Sequence, residues 1–105
     1  MTRIAILQMT SGIDPAANAR TLVQAVERAA DGGAEMLFTP EMSGLLDRDR
    51  GRAAENIRPE SEDIVFAVVS EAAAKAGLWV ALGSLAVKRE DGRWANRSFL
   101  LDGNG

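Results

Sequence analysis

Three apolar, β-rich runs separated by two segments of helical periodicity constrain the fold of this chain more than any other feature. The runs are RIAILQM, AEMLFT and LWVALGSLAV, and the first has the continuous apolar character of a strand covered on both faces. Successive strand, helix and strand units form right-handed crossovers between parallel strands. We therefore predict an α/β fold in which helices pack on a sheet whose first strands are parallel.

The first helix is predicted to begin at Pro15 with Asp14 as its capping residue, because Asp caps helices well and Pro suits the first helical position. The pair Gly32-Gly33 is expected to end it. Its apolar residues recur at helical spacing, which indicates a buried stripe. They are Ala19, Leu22, Val23, Val26 and Ala29.

The second helix is predicted to be capped by Ser61 and to end at Gly77. Its expected buried stripe consists of Ile64, Val65, Val68, Val69, Ala72 and Ala76. Residues 46–60, which precede it, alternate between acids and arginines and contain few large apolar groups. We expect them to form a solvated, irregular loop.

A hairpin is predicted near the end of the chain. Asp91-Gly92 is a strong turn signal, and ANRSFLLD after it should pair antiparallel with the third strand. The final DGNG is itself a turn sequence, and a hairpin turn needs a strand after it. We therefore expect residues 1–105 to be the N-terminal portion of a single domain, truncated after the fourth strand.

Composition excludes several classes of partner and chemistry. The net charge is −3 without a basic run, so nucleic acid is not an expected partner. No apolar run is long enough to span a membrane and no secretory signal is recognisable, so we expect a cytoplasmic protein without a membrane partner. Cysteine, histidine and glycine-rich phosphate-binding motifs are absent, and we expect neither a metal nor a cofactor.

Glu41 is the candidate catalytic residue. It follows Pro40, which must close the second strand because proline has no N–H for the ladder. Ligands of open α/β sheets bind beyond the carboxyl ends of the strands, where a carboxylate is well placed to act as a general base. A solvent-facing loop glutamate is the alternative explanation of the same position.

Four segments resemble, in order and spacing, the N-terminal part of the nitrilase, or carbon-nitrogen hydrolase, superfamily. They are RIAILQMTS, FTPEMSG, GLWVALGSL and NRSFLLDGNG, and together they cover essentially the whole chain. QMTS and the pair Arg48-Asp49 look most similar to the deaminated-glutathione amidase branch. The resemblance implies an α-β-β-α sandwich. It also implies hydrolysis of an ω-amide such as deaminated glutathione, or of a nitrile, and we expect a homo-oligomeric full-length protein.

The resemblance further implies an active site of Glu, Lys and Cys, of which only the Glu matches, at Glu41. In the family this glutamate is the general base that activates the cysteine, whose thiolate forms an acyl-enzyme. The lysine stabilises the charge that develops on the substrate. Neither Lys75 nor Lys88 matches the family lysine, and the chain has no cysteine. We therefore expect the parent to be an amidase acting on a small-molecule amide, and this chain to be inactive alone.

Three further groups have both a functional and a structural interpretation. Asn96 matches an asparagine common in the family and is a candidate for the active-site wall, but strand amides often only satisfy backbone groups. The arginines within residues 48–52 could bind a substrate carboxylate, or form a solvated loop with the aspartates between them. Trp79 and Trp94 are expected to serve packing.

Two hypotheses from different classes follow. The first is the N-terminal portion of a nitrilase-superfamily amidase that carries the general base without the nucleophile. The second is a complete small α/β binding or interaction module in which Glu41 is a loop carboxylate. Only the first requires a further strand, a lysine and a cysteine after residue 105.

Overall fold

The computed structural model describes residues 2–105 and contains one four-stranded sheet with two long helices packed on one of its faces. The elements are β1 (Ile4–Ile6), α1 (Pro15–Asp31), β2 (Met36–Phe38), α2 (Arg50–Asn56), a 3₁₀ turn (Glu60–Glu62), α3 (Ile64–Ala76), β3 (Trp79–Lys88) and β4 (Trp94–Leu101). None of the helices within residues 2–105 is long and apolar enough to cross a membrane.

The strands lie in the order β1-β2-β3-β4, with β1, β2 and β3 parallel and β4 antiparallel to β3. This confirms the α/β class and the strand directions that the sequence predicts. At the turn between β3 and β4, the Asp91 carboxylate accepts the N–H of Arg93 at 3.0 Å, and Gly92 has a φ of 83°. Glycine adopts this left-handed geometry without strain.

Helix α1 begins and ends where the sequence predicts. The Asp14 side chain accepts the N–H of Ala16 at 3.0 Å, and Pro15 occupies the first helical position. At the other end, the N–H of Gly32 donates to the carbonyl of Arg28 at 3.0 Å. These local bonds satisfy backbone groups that a helix end otherwise leaves unpaired.

The main core lies between the sheet and the pair α1 and α3. Both helices and strands β2 to β4 contribute to it, and each fully buried large side chain is worth roughly 1.5–3 kcal/mol relative to exposure. The largest fully buried apolar side chains are Leu22, Val26, Leu37, Val65, Val69, Leu78, Val80, Leu82, Leu85 and Val87. The helix-facing side of the sheet is therefore the side that stabilises the chain.

The buried stripe of α3 is narrower than predicted. Val65, Val69 and Ala73 are buried at four-residue spacing, whereas Ile64 is 50% exposed. The predicted stripe members that stay wholly or partly exposed are Ile64, Val68, Ala72 and Ala76. Because α1 packs alongside α3, one line of α3 side chains reaches the sheet and the second line borders a groove on the outer helix surface.

The cap of α3 is Asp63 and not Ser61. The Asp63 carboxylate accepts the N–H of Phe66 at 2.8 Å, and burial raises the pKa of this carboxyl. Ser61 lies instead within the 3₁₀ turn, so the polar residue next to the apolar stripe caps the helix. The helix ends at Gly77, as predicted, with a left-handed φ of 62°.

The loop predicted at residues 46–60 contains the helix α2. Its cap is Asp49, which accepts the N–H of Arg52 at 3.1 Å. The apolar side of the segment forms a small cluster separate from the main core, made of Leu45, Ala53 and Ile57. The prediction of an irregular loop is therefore wrong for residues 50–56: Asp49 caps a short helix whose Ala53 packs against Leu45 and Ile57 on either side of it.

A two-pronged ion pair closes the turn before α2. Arg52 Nε donates to one carboxylate oxygen of Asp47 at 2.6 Å, and Arg52 Nη2 donates to the other at 2.8 Å. The Asp47 side chain is fully enclosed, and Arg52 is half exposed. Hydrogen bonds from Arg52 and from the N–H of Asp49 lower the pKa of Asp47 to about 2.

Most of the sheet face opposite α1 and α3 is open within residues 2–105. The exposed apolar side chains on it are Ile4, Ile6, Phe38, Trp79 and Leu100. Within residues 2–105, β1 is therefore covered on one face only, and not on both faces as its apolar sequence predicted. It is also shorter than predicted, spanning Ile4–Ile6. Trp79 and Trp94 lie on the open face, 47% and 36% exposed, and not in the core.

Strand β3 contains a β-bulge beside the point where β2 ends. Its pairing with β4 shifts between Leu82 and Leu85, so that Gly83 and Ser84 together face Ser98. The Ser98 hydroxyl donates to the carbonyl of Gly83 at 2.6 Å. Bulges bend a strand locally and redirect its side chains, and they recur near functional sites.

Gly83 allows the chain that leaves β2 to pass close to β3. A Cβ atom at this position would lie 2.5 Å from the carbonyl carbon of Pro40 and 2.6 Å from its oxygen. These atoms belong to backbone and have little freedom to move away. Glycine is therefore required by the close approach of two chain segments.

We expect Gly83→Ala to lower the free energy of unfolding by about 1–3 kcal/mol, because the added methyl group would push the Thr39-Pro40 backbone away from β3. The matched control is Gly51→Ala in α2, where a Cβ meets only ordinary contact at 3.4 Å. Urea denaturation measures both. A wild-type unfolding midpoint for Gly83→Ala would contradict the close approach.

The depressed pKa of Asp47 predicts a loss of stability in acid. A carboxyl whose pKa is lowered on folding stabilises the fold above its ordinary pKa of about 3.9, and that contribution disappears as the pH falls toward 2. The difference in unfolding midpoint between wild type and Asp47→Asn should therefore shrink between pH 5 and pH 2. Glu71→Gln, which removes an exposed ion pair on α3, controls for the loss of one surface charge. A difference that stays constant over this range would disprove the role of the pair.

The open sheet face predicts that the 105-residue chain associates in solution, because large exposed apolar patches favour contact. Leu100→Lys, at a side chain 62% exposed, should reduce the apparent mass in sedimentation at high concentration. Ile64→Lys, at a similarly exposed position on the outer helix surface, should leave it unchanged. A monomer at high concentration in the unsubstituted chain would refute this expectation.

Candidate functional site

Glu41 lies just beyond the carboxyl end of β2, as predicted, on a turn formed with Met42. Its side chain is exposed, and none of the ion pairs formed within residues 2–105 involves it. Met42 has a φ of 51°, a left-handed geometry that is uncommon for a residue other than glycine. Such geometry costs roughly 1–2 kcal/mol and persists only where neighbouring contacts impose it.

The first contacts that impose this turn come from Thr39. Its N–H donates to the carbonyl of Ala81 at 3.0 Å, and its hydroxyl oxygen accepts the N–H of Gly83 at 3.2 Å. Pro40 then offers no N–H to β3, so the regular ladder stops. A side-chain hydroxyl thus continues the pairing of β2 with β3 where the backbone no longer does.

The second set of contacts comes from Ser84 in the bulge of β3. Its hydroxyl oxygen accepts the N–H of Met42 at 2.8 Å. Its carbonyl accepts the N–H of Ser43 at 3.2 Å and the Ser43 hydroxyl at 3.5 Å. Both serines are buried, at 2% and 0% exposure. Glu41 is therefore flanked on both sides by residues bonded to β3.

Asn18 on α1 stabilises the same region from the helix side of the sheet. This side chain is 4% exposed and donates from Nδ2 to the carbonyls of Gly12 and Gly44, at 2.9 Å each. Its Oδ1 accepts the N–H of Gly12 at 2.9 Å. A buried amide with these bonds joins the chain after β1 to the chain after Glu41, which rigidifies both.

A cavity of about 240 Å³ opens beside Met42 on the open face of the sheet. Asn96 and Trp94 of β4 line it together with the small cluster around α2. Asn96 therefore lies in the same cavity as Met42, the residue after Glu41, whereas Glu41 itself does not line this cavity. Arg50 stacks over the Trp94 ring at 4.8 Å and borders the same region.

Arg52 and the two lysines all lie at or near the protein surface. Arg52 is engaged with Asp47, and Lys75 pairs with Glu71 at 3.3 Å on the outer face of α3, as predicted. Lys88 ends β3 in an exposed position. Within residues 2–105, neither lysine forms an ion pair with Glu41.

Sequence reasoning missed Ser84, Met42 and Asn18 as parts of this region. The available signals were weak: a Gly-Ser pair inside an apolar strand, and a single amide one position before the apolar stripe of α1. Neither pattern indicates a partner. The arrangement presents the exposed Glu41 carboxylate on a fixed turn. This carboxylate can accept a proton from a group that comes within hydrogen-bonding distance of it.

Comparison with known proteins relates this geometry to a family. The family pattern of the carbon-nitrogen hydrolases, described as Carbon-nitrogen hydrolase, matches residues 3–105. A search of curated proteins finds no match.

Solved structures of similar fold include the NitN amidase from Nesterenkonia sp. AN1, with a TM-score of 0.82 and 25% identity over 99% of this chain and 40% of the amidase. A glutamate-to-glutamine variant of that amidase, with acrylamide added to its active-site cysteine, has a TM-score of 0.82 and 24% identity over 99% of this chain and 41% of its own. The C. elegans NitFhit protein has a TM-score of 0.83 and 25% identity over 99% of this chain and 26% of its own.

The chain thus spans less than half the length of these structural relatives. The family match extends over nearly every residue, and the four-stranded sheet with its helices superimposes on the corresponding part of the amidases. The chain belongs to the carbon-nitrogen hydrolase family.

Proposed function

We propose that residues 1–105 are the N-terminal portion of a single carbon-nitrogen hydrolase domain and supply the general base of an amidase. The observation that carries this proposal is the position of Glu41: exposed, beyond the carboxyl end of β2, on a turn that β3 fixes from both sides. Family membership and the fold shared with the NitN amidase favour this enzyme over a small binding module.

In the proposed reaction, the Glu41 carboxylate takes the proton of a cysteine thiol that lies outside residues 1–105. The thiolate attacks the amide carbon. As the adduct collapses, the C–N bond breaks and the nitrogen takes the proton held by Glu41, so that ammonia leaves and an acyl-enzyme remains with Glu41 again a carboxylate. Glu41 then takes a proton from the water that hydrolyses the thioester. A lysine, also outside this chain, stabilises the negative charge on the substrate oxygen.

The proposed substrate is a small ω-amide such as deaminated glutathione, with a nitrile as the alternative. Arg48 is the residue proposed to bind the carboxylate of such a substrate, because it is exposed and enters none of the ion pairs formed within residues 2–105. Asp49, the other member of the pair that resembles the glutathione branch, caps α2 and is accounted for structurally. The full-length protein is proposed to be a homo-oligomer that needs no cofactor.

We expect no amidase turnover from the 105-residue chain, because a base without a thiol forms no covalent intermediate. A protein extended to the length of the NitN amidase should release ammonia from ω-amides. Glu41→Gln in that protein should lower kcat by about 10²- to 10⁴-fold, since the amide keeps the shape but accepts no proton. An ammonia-release assay on deaminated glutathione measures each case.

The matched control is Glu35→Gln, an exposed glutamate at the opposite end of β2, which should leave turnover unchanged. Alkylation of the thiol should abolish turnover in the extended protein. Robust turnover by the short chain, or wild-type turnover by Glu41→Gln, would refute the assignment of Glu41 as the base.

A further inference from the structure

We propose that Ser84 is a positioning residue for Glu41, and this inference rests on the proposed function of that glutamate as a general base. The Ser84 hydroxyl oxygen accepts the N–H of Met42 at 2.8 Å, one residue beyond the carboxylate. It is the side-chain contact made directly to Met42, whose φ is left-handed, and in this proposal it sets the direction in which Glu41 leaves the sheet.

The location of Ser84 in the bulge explains why its hydroxyl reaches the turn. The register shift between Leu82 and Leu85 inserts an extra residue opposite Ser98 and changes the alternation of side chains along β3. Leu82, Ser84 and Leu85 are all buried. In a regular strand, where side chains alternate between the two faces, Ser84 and Leu85 would point to opposite sides of the sheet. The bulge therefore turns a hydroxyl toward the segment that follows Pro40.

No backbone group of β3 substitutes for this hydroxyl in binding the N–H of Met42 among the residues that the structure describes. The carbonyl of Ser84 already accepts from Ser43, and the carbonyl of Gly83 accepts the Ser98 hydroxyl. Removal of the Ser84 hydroxyl would leave the N–H of Met42 without its partner. The turn would then relax from its strained geometry and displace the carboxylate.

Ser84→Ala and Ser43→Ala form a matched pair, since both remove a buried hydroxyl from the same contact and only the first touches the N–H of Met42. In the protein extended to the length of the NitN amidase, Ser84→Ala should lower kcat by about 10- to 100-fold with KM nearly unchanged, because a small misplacement of a catalytic group is costly. Ser43→Ala should keep wild-type kcat, because it retains the backbone hydrogen bond from the N–H of Ser43 to the Ser84 carbonyl and loses only a hydroxyl contact at 3.5 Å. The thermal midpoints of the two variants show whether a difference in folding accounts for the result.

The second readout is exchange of the Met42 amide proton, followed after selective ¹⁵N-methionine labelling of the same extended protein. We expect protection in the wild type and in Ser43→Ala, and fast exchange in Ser84→Ala. If Ser84→Ala does not fold, Ser84→Cys fills the same space with a weaker acceptor and should give an intermediate loss of kcat.

Three results would each overturn the positioning role: wild-type kcat in Ser84→Ala, an equal loss in Ser43→Ala, or an unprotected Met42 amide in the wild type. In all three cases the proposed function stands if Glu41→Gln still lowers kcat by about 10²- to 10⁴-fold. Wild-type turnover in Glu41→Gln would instead show that the proposed function itself fails. The two failures are therefore distinguishable within one set of variants.

Discussion

The close passage of the Thr39-Pro40 backbone over Gly83 is the contact on which the candidate site depends. Proline ends the hydrogen-bonded ladder of β2, and an exposed chain would ordinarily diverge from the sheet at that point. Here glycine removes the steric barrier, and the hydroxyls of Thr39 and Ser84 replace the missing ladder bonds. The chain consequently stays against β3 for a few residues longer and presents Glu41 from a fixed turn.

Polar groups buried around this contact are paired. Asn18 uses its amide for three hydrogen bonds, and Ser84 uses both its hydroxyl and its carbonyl. Each such group left unpaired would cost roughly 1–3 kcal/mol, so the network is stable only in one arrangement of the loops. The hydroxyl of Ser70 on α3, which has no partner within residues 2–105, lies away from this region. Rigidity is thus concentrated where the carboxylate is held.

The two faces of the sheet differ in a way that bears on the site. On the helix side, α1 and α3 cover most of the sheet, and this side provides the main core, although Ala5 and Phe99 are only partly buried. On the other side, large apolar side chains such as Ile6 and Leu100 are exposed, and the cavity beside Met42 opens there. In the proposed enzyme, the remainder of the domain covers this face and brings the thiol and the lysine to Glu41.

Local patterns in the sequence determined the class of fold, the strand directions, helix α1, the turn at Asp91-Gly92 and the place of Glu41 after β2, because caps, glycines and proline act on their immediate neighbours. Local patterns did not determine helix α2, the cap of α3 or which line of α3 side chains is buried, since these depend on packing partners distant in sequence. The same holds for the site. Pro40 indicated that Glu41 follows the end of a strand, but only the tertiary structure brings Gly83 and Ser84, more than forty residues away in sequence, to the turn that carries Glu41. A hydroxyl in a strand has no preferred partner until the bulge and the neighbouring loop bring a buried N–H within its reach.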